Sequence, residues 1–511
     1  MARRLSLILC SLLVSSRVAR ADLTTRALAA ADDTGGSSAT PTLMSWAGTI
    51  QATSLPDLLQ EAVRLAPTLQ SARIDIEIAE ARIQQTWARR DWLVSADAQG
   101  SWTQSGLVAG IATGSSRRFS ATAGISRMIS TGGTVGVQIG TTYTKSDAGL
   151  FKSEYWNDTI ALQINQPLLR GRGSDIYNAN EARAQLSRDA AVLARRLAAL
   201  QTVQSIVSAY WDLVLAQRQV EITDASLMLA NERLRITEIG ANGGKIAPAE
   251  IPAVQQIIAT REEDVLGQEL TVLDRSIALR RAVGMPIGAN ELGLRVATEL
   301  DTRDEGWTLD TLLDRAYAAS PELAQLAKQD QSATIEIEVT DNGLLPQLDL
   351  ALSFGPTGTD GNAGTAALNT VKFGELAASG SLTFTQALRR DDVHGRSREL
   401  RSGREKLRVN AVDIRAQIAQ TLARAVAQIE VAKRRVVLSQ RAIDLAKENI
   451  RIETDRFNLG KSTNFDVLNR LEEQRQAELR KAQALIDWHK AETVVLTLTG
   501  DLLPTFGITV D

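Results

Sequence analysis

LPDLLQEAVRLAPTL, residues 55–69, returns as LDTLLDRAYAASPEL at residues 309–323, and this pair decides the fold. Leu58 and Leu312, Leu59 and Leu313, Ala62 and Ala316, Pro67 and Pro321, and Leu69 and Leu323 all stand 254 positions apart. Each copy opens the same programme: strand-like segments, a helical pattern of about 65 residues, a Gly-Lys turn and a shorter helix. ALQINQPLLRG (161–171) aligns with SLTFTQALRRD (381–391) at offset 220, and GKIAPAEI (244–251) with GKSTNFDV (460–467) at offset 216. A repeat of this size sets the architecture before any single residue is considered. From Pro67 to Pro167 is 100 residues but from Pro321 to Ala387 only 66, so the first half carries 34 extra residues in its strand region.

Outside the repeats the chain reads as address label and connectors. Arg3 and Arg4 precede an apolar run from Leu5 to Val14, and Ala19-Arg20-Ala21 offers a small-x-small cleavage site, the pattern of an export signal. Cys10 is the only cysteine and follows the bulky Leu9, which does not suit lipoprotein processing, so the mature chain is expected to lack thiols and a lipid anchor. Loss of Arg3, Arg4, Arg17 and Arg20 moves the formal net charge from -3 to -7. With no basic block against that balance, nucleic acid is excluded as a partner. The expected organisation is a signal peptide (1–21), a flexible lead-in (22–53) with Trp46 as its large aromatic, repeat 1 (54–284), a linker (285–306), repeat 2 (307–500) and a short tail (501–511).

Beyond the signal no apolar run reaches the ~18 residues of a membrane-spanning helix, so a membrane role falls to strands. Val135, Val137, Ile139, Thr141 and Tyr143 alternate with Thr134, Gly136, Gln138, Gly140 and Thr142. Ile160, Leu162 and Ile164, then Leu348, Leu350, Leu352 and Phe354, then Leu382 and Phe384, do the same. Such alternation taken alone favours a half-buried soluble sheet, while also meeting the needs of a closed wall with lipid outside and water inside. Aromatic placement favours the wall: Trp92, Trp102, Phe119, Tyr143, Phe151, Tyr155 and Trp156 crowd the first strand region as interfacial girdles do. The Gly-rich stretches 106–116 and 355–365 read as external loops.

From about Ser174 to Gly240 and from about Asp392 to Leu459 there is no proline, and helices of that length reach ~95 to 100 Å. Apolar residues at three and four spacing (Leu193, Leu197, Leu200, Val203, Ile206, Val207, Tyr210; Ile414, Ile418, Leu422, Val426, Ile429) make coiled-coil faces. Both long helices stop at recognisable turns. Gly460 is able to adopt the left-handed conformation after Leu459, and Thr463 with Asp466 forms a T-x-x-D capping pattern. Asn242, Gly243 and Gly244 end the other helix, with Pro248 expected at the first position of the next and Glu250 close behind. Both turns are therefore helical hairpin tips.

The two LxxLLxxAxxxxP openings, the QPLLRG junction, the core Ala209-Tyr210-Trp211-Asp212-Leu213, the tips GKIAPAEI and GKSTNFDV, and LRRAVGMP (279–286) together resemble the TolC-like outer-membrane efflux proteins, with order and duplication carrying the likeness. The resemblance spans nearly everything from 54 to 500. It implies an α+β membrane protein: a homotrimer whose protomers each give four strands to one twelve-stranded transmembrane β-barrel, continuous with a long α-helical coiled-coil barrel, with two tandem repeats per chain. Gln166, Pro167 and Gln386 would mark the junction from barrel to helix. RRFSATAGISRMI (117–129) and TVGVQIGTTYT (134–144) form an additional hairpin, which could extend the barrel or fold as a flap, and the first half lacks a counterpart to Pro346.

By the same resemblance the protein is a passive duct, set in outer-membrane lipid, for tripartite efflux or type I secretion. The hairpin tips constrict it and meet a periplasmic adaptor driven by an inner-membrane pump. Asp466, and in the first repeat Glu250, are candidates for an acidic constriction that would favour cations. The alternative, that each acid only caps its helix and complements the dipole, fits Glu250 better. Asn469 is neutral where a second acid would strengthen the trap. Gly244, Lys245, Gly460 and Lys461 are the candidate adaptor-facing residues. No cofactor is expected, and an enzyme is disfavoured, since His394 and His489 are the only histidines and neither a phosphate loop nor a nucleophile elbow is present. The competing reading is a periplasmic coiled-coil adaptor or scaffold with a soluble β-sheet.

Overall fold

Pro67 and Pro321 start helices because proline lacks the amide that a first helical residue leaves unbonded anyway, and the same series of elements follows each. The computed structural model describes residues 51–104, 107–108, 111–112, 114–148, 151–288, 292–296 and 308–509; the signal segment 1–21, Trp46 and most of the lead-in and linker lie outside them. In the first half come β1 (Gln51–Thr53), α1 (Leu55–Leu65), α2 (Pro67–Thr86), β2 (Leu93–Gln104), the short pair β3 (Leu107–Val108) and β4 (Ile111–Ala112), β5 (Ser115–Met128), β6 (Thr134–Ala148), β7 (Phe151–Pro167), α3 (Ser174–Asn242) and α4 (Glu250–Val283). Then follow β8 (Leu294–Val296), α5 (Leu309–Ala319), α6 (Pro321–Asn342), β9 (Gln347–Asp360), α7 (Ala363–Val371), β10 (Glu375–Thr385), α8 (Asp391–Asn458), α9 (Asn464–Thr499) and α10 (Leu502–Thr505).

The long helices match the expected limits to within two residues, at 69 and 68 residues. Their apolar stripes are buried as the spacing requires: Leu200, Val203, Ile206, Val207 and Tyr210 pack with Leu58, Leu59, Leu279 and Ile486, and Ile418, Leu422 and Ile429 pack with Leu312, Trp488 and Val495. Charge zips the layers on either side. Asp330 of α6 takes both arms of the Arg404 fork at 2.6 and 2.9 Å, and Glu336 bridges Arg183 of α3 and Arg396 of α8 at 2.8 and 2.7 Å. The halves are joined where Trp211 stacks on His489, rings 4.2 Å apart and 3° from parallel, beside a 2.5 Å bond from Lys490 to Asp212. His489 is buried although it lies in a charged helix, because an aromatic face from α3 covers it.

Six strands form one sheet in the order β10-β9-β7-β6-β5-β2, all antiparallel. The sheet thus holds two strands more than the four per chain that the family resemblance implied for the barrel. The additional hairpin β5–β6 is inserted between β2 and β7, where its backbone groups complete ladders on both sides. Pairing puts Ala98, Ala121, Thr141, Asp158 and Gly358 in one row, and Ala96, Ala123, Ile139 and Ile160 in the next. Rows of Ile125, Val137, Leu162 and Phe354, then Val135, Ile164, Leu352 and Gly380, continue that apolar face. The other face carries Gln99, Ser120, Thr142 and Asn157, then Gly136, Gln163, Ser353 and Ser379. Tyr143 and Trp156, ring centroids 5.0 Å apart, stand at one end of the apolar face; Trp92, with the Arg127 guanidinium 5.7 Å from its ring, stands near the other. Tyr155 alternates onto the polar face, beside Thr144.

Three segments read as connectors are structured. Residues 51–53 of the lead-in pair in parallel with β8 of the linker, Gln51 against Leu294 and Thr53 against Val296. The tail carries α10, whose Leu502 and Leu503 close the first core. The stretch 355–365 is the end of β9 and the start of α7 rather than a loop. The other stretch expected as a loop, 106–116, lies partly outside the described residues. Helix α7 lies on the apolar face, with the Thr370 hydroxyl donating to the Asp158 carbonyl at 3.1 Å, and Gly358 leaves room for it because a Cβ there would strike Ala366 and Thr370. Among the described residues no helix is long and apolar enough to cross a membrane.

Leu213 is fully buried in the first core, so Leu213→Ala should cost about 2–5 kcal/mol, read as a lowered thermal midpoint with the helical content unchanged.

Candidate functional site

The hairpin tips end both long helices with one backbone device. At the first, the Gly244 amide donates to Ala241 at 3.0 Å and the Lys245 amide to Gly240 at 2.8 Å; at the second, Gly460 donates to Phe457 at 2.9 Å and Lys461 to Arg456 at 2.8 Å. These are paired Schellman bonds, which need a left-handed residue at the turn. Gly244 and Gly460 supply it at φ 68° and 70°. All four Gly-Lys residues are exposed. In the first hairpin α4 begins at Glu250 rather than at Pro248, because the Glu250 and Ile251 amides first wind a tighter turn onto Ala247 and Pro248, at 3.0 and 3.2 Å.

Asp466 closes the capping box that its spacing promised. Its Oδ2 accepts from the Thr463 amide at 3.1 Å, the Thr463 hydroxyl at 2.7 Å and the Ser462 hydroxyl at 3.2 Å, while its own amide donates to the Thr463 hydroxyl at 3.3 Å. The Thr463 hydroxyl and amide hold its carboxyl below the usual carboxylate value. Glu250 sits in the first turn of α4 but also reaches outside it: the buried Asn464 donates through Nδ2 to Glu250 at 2.8 Å and to Thr237 of α3 at 2.9 Å. Asn464 thus joins the two tips, a contact invisible in the sequence because its partners lie more than 200 residues away.

Two buried arginines extend this contact along the helices. Arg233 of α3 lies 4.5 Å from the ring centroid of Phe457 of α8, and burial lowers its pKa. Arg261 of α4 donates to the Ser226 carbonyl at 2.9 Å and to the Ser226 hydroxyl, with Glu472 of α9 at 3.7 Å; burial again lowers its pKa. Both would be expensive to bury unpaired, so a cation–π face and a carboxylate lie where the hairpins meet. Among the described residues no group of three or more His, Cys, Asp and Glu could hold a metal ion.

At the other end of the long helices, the first junction is tightly braced. Gln166 exchanges bonds with Thr131 in the β5–β6 turn at 2.6 and 3.3 Å, and beyond Pro167 the Gly171 amide donates to Asn342 at 2.7 Å. Gln386, its counterpart after β10, is exposed, and Leu388 beside it is 96% exposed.

A Cβ at Gly460 would meet no atom within 4 Å, so Gly460→Val acts through backbone strain alone. It should destabilise the tip by about 1–3 kcal/mol, seen as faster amide exchange from Arg456 to Asp466, with Gly460→Asn milder. The Asp466 cap is expected to be acid-labile. Because its folded pKa is lowered, the cap contributes fully above the ordinary carboxylate value of about 4 and fades as pH falls through the lowered value. Exchange protection at the start of α9 should follow that curve in the native chain and become flat with pH in Asp466→Asn.

The profile of the family described as outer membrane efflux protein matches residues 134–285 and 312–501. Nodulation protein T of Rhizobium leguminosarum bv. trifolii is 20% identical over 360 residues, covering 68% of this chain and 72% of that protein. The outer-membrane channel OprN superposes with a TM-score of 0.66 at 15% identity, over 88% of this chain and 90% of its own. The CmeC outer membrane channel of Campylobacter jejuni gives 0.64 at 13% identity, over 88% and 86%. With its profile matched over most of both halves, this chain belongs to the outer membrane efflux protein family.

Proposed function

We propose that this protein is the outer-membrane duct of a tripartite efflux or type I secretion system, a homotrimer that passively conducts substrate from a periplasmic adaptor and inner-membrane pump to the exterior. The observation that carries this reading is the two-faced sheet continuous with paired long helices whose tips are fastened to each other. Large aliphatics such as Ile139 (58% exposed), Phe354 (55%) and Leu382 (63%) need hydrocarbon against them, and the polar face opposite suits water. From the row of Trp156 to that of Gln166 the apolar face is ten residues tall, about 25 Å in tilted strands, which is the hydrocarbon height of a membrane barrel. A soluble scaffold would leave that face in water. The large helical part would occupy the periplasm.

The helices then form the tunnel, and the tips its gate. Closure rests on the bonds from Asn464 to Glu250 and Thr237 and on Arg233 over Phe457, since these hold the two hairpins of a protomer together. Asp466 and Glu250, repeated around a threefold axis, place carboxylates at the constriction and favour cations there. The Gly-Lys turns offer amide-rich, cationic knobs to an adaptor.

Asn464→Leu removes both inter-hairpin bonds while α9 keeps its cap from Thr463. In planar bilayers the mean open conductance should rise severalfold over the native channel, whereas Asn449→Leu, at an exposed position of α8 well before the tip, should not change it. Native-like conductance in Asn464→Leu would count against a gate at the tips.

A further inference from the structure

We propose that the free edges of β2 and β10 are the surface on which a second copy docks, so that each chain gives six strands to the wall and three copies close an eighteen-stranded exit. This rests on the trimeric duct reading above and changes the exit's size and the surface that builds it.

Within the sheet β2 is bonded only to β5, and β10 only to β9. Every residue of both edge strands is exposed, twelve in β2 and eleven in β10. In hydrocarbon an open row of amides and carbonyls is not tolerated, so both edges must be paired. They fit each other. Strand β2 leaves the junction end and β10 returns to it, which makes them antiparallel in a ring of copies. Their outward rows match in character, with Val94, Ala96, Ala98 and Trp102 on one and Leu376, Ala378, Leu382 and Phe384 on the other. At the shared end, Trp92 (56% exposed), Leu93 (66%) and Leu388 (96%) are apolar residues without cover.

Closure within one chain fails on size. An eight-stranded barrel already fills its interior with side chains, and six strands would be narrower still while having to enclose Gln99, Arg118, Tyr155 and Gln163. Nor is the inserted hairpin a flap. It is laddered from end to end on both sides, its Ile125, Val135, Val137 and Ile139 continue the apolar face, and its turn is bonded through Thr131 to Gln166 and to the Gly173 amide.

With strands about 4.8 Å apart and tilted by about 40°, the backbone diameter grows from about 24 Å for twelve strands to about 36 Å for eighteen. Barrels of that class keep an open aqueous lumen, so selection by size falls to the hairpin tips and the exit admits bulkier cargo.

The test uses full-length protein extracted from outer membranes. Electron cryomicroscopy should show three subunits and eighteen strands. Independently, Ala96→Cys with Ala378→Cys, and neighbouring outward pairs, should yield disulfide-linked oligomers, while Ala96→Cys with Ala123→Cys, which are cross-strand partners, should link within one chain. A link between β2 and β10 inside a single chain overturns the proposal. Three subunits with twelve strands and the hairpin off the wall overturn it while leaving the duct reading intact. Two subunits, or a soluble particle, overturn the trimeric duct itself.

Discussion

Backbone amides and carbonyls that leave water must find partners inside the protein, and in hydrocarbon no exception is affordable. That requirement shapes this chain more than any side chain does. The sheet satisfies it across four internal strands and leaves it unmet on two edges, while its aliphatic face is open from Ile125 to Phe354. The long helices are two-sided in the same way: each has a face packed inside the chain and another holding exposed apolar residues, such as Val409, Val412 and Val437 on α8.

The same need for satisfied backbone explains the helix ends. A helix of about 70 residues leaves four carbonyls unbonded at its C-terminus, and at each tip the chain must also reverse within a few residues into the next helix. A glycine at positive φ answers both demands, which is why the pair Gly-Lys occurs in each half at nearly the same angles. Asp466 serves the N-terminal end of the same turn, where the Thr463 amide and hydroxyl both donate to its carboxylate, so the turn needs it for its own integrity.

Features governed by local chemistry were legible in the sequence. Pro67 and Pro321 at helix starts, glycines at helix ends, the Thr463 to Asp466 spacing and the period-two strands each follow from the residue and its near neighbours and appear where the pattern put them, while Pro248 falls two residues short of the helix it was expected to start. What could not be read depends on distant partners. Residues 51–53 look like linker until β8 is beside them, α7 needs the bare backbone of Gly358 beneath it, and His489 looks solvated until Trp211 covers it. Asn464, the link between the tips, is an ordinary polar residue at a helix start, and only the placement of Thr237 and Glu250 gives it a role. The count of strands in the sheet lay between these cases: the hairpin was visible, but its neighbours were not.

The seam between the two halves of the sheet sets the order in which the molecule can form. Leu162 of β7 lies against Phe354 of β9, and between them run both helices of the first hairpin, the linker and α5 and α6. Closing so long a loop is slow, and until it closes β2, β5, β6 and β7 present a sticky ribbon with the β7 edge uncovered. The nascent protein must therefore reach the membrane with its second half already delivered or with that ribbon shielded by another protein. Its biogenesis is governed by how long this edge is kept from pairing wrongly, a kinetic burden that a chain of two independently folding halves would not carry.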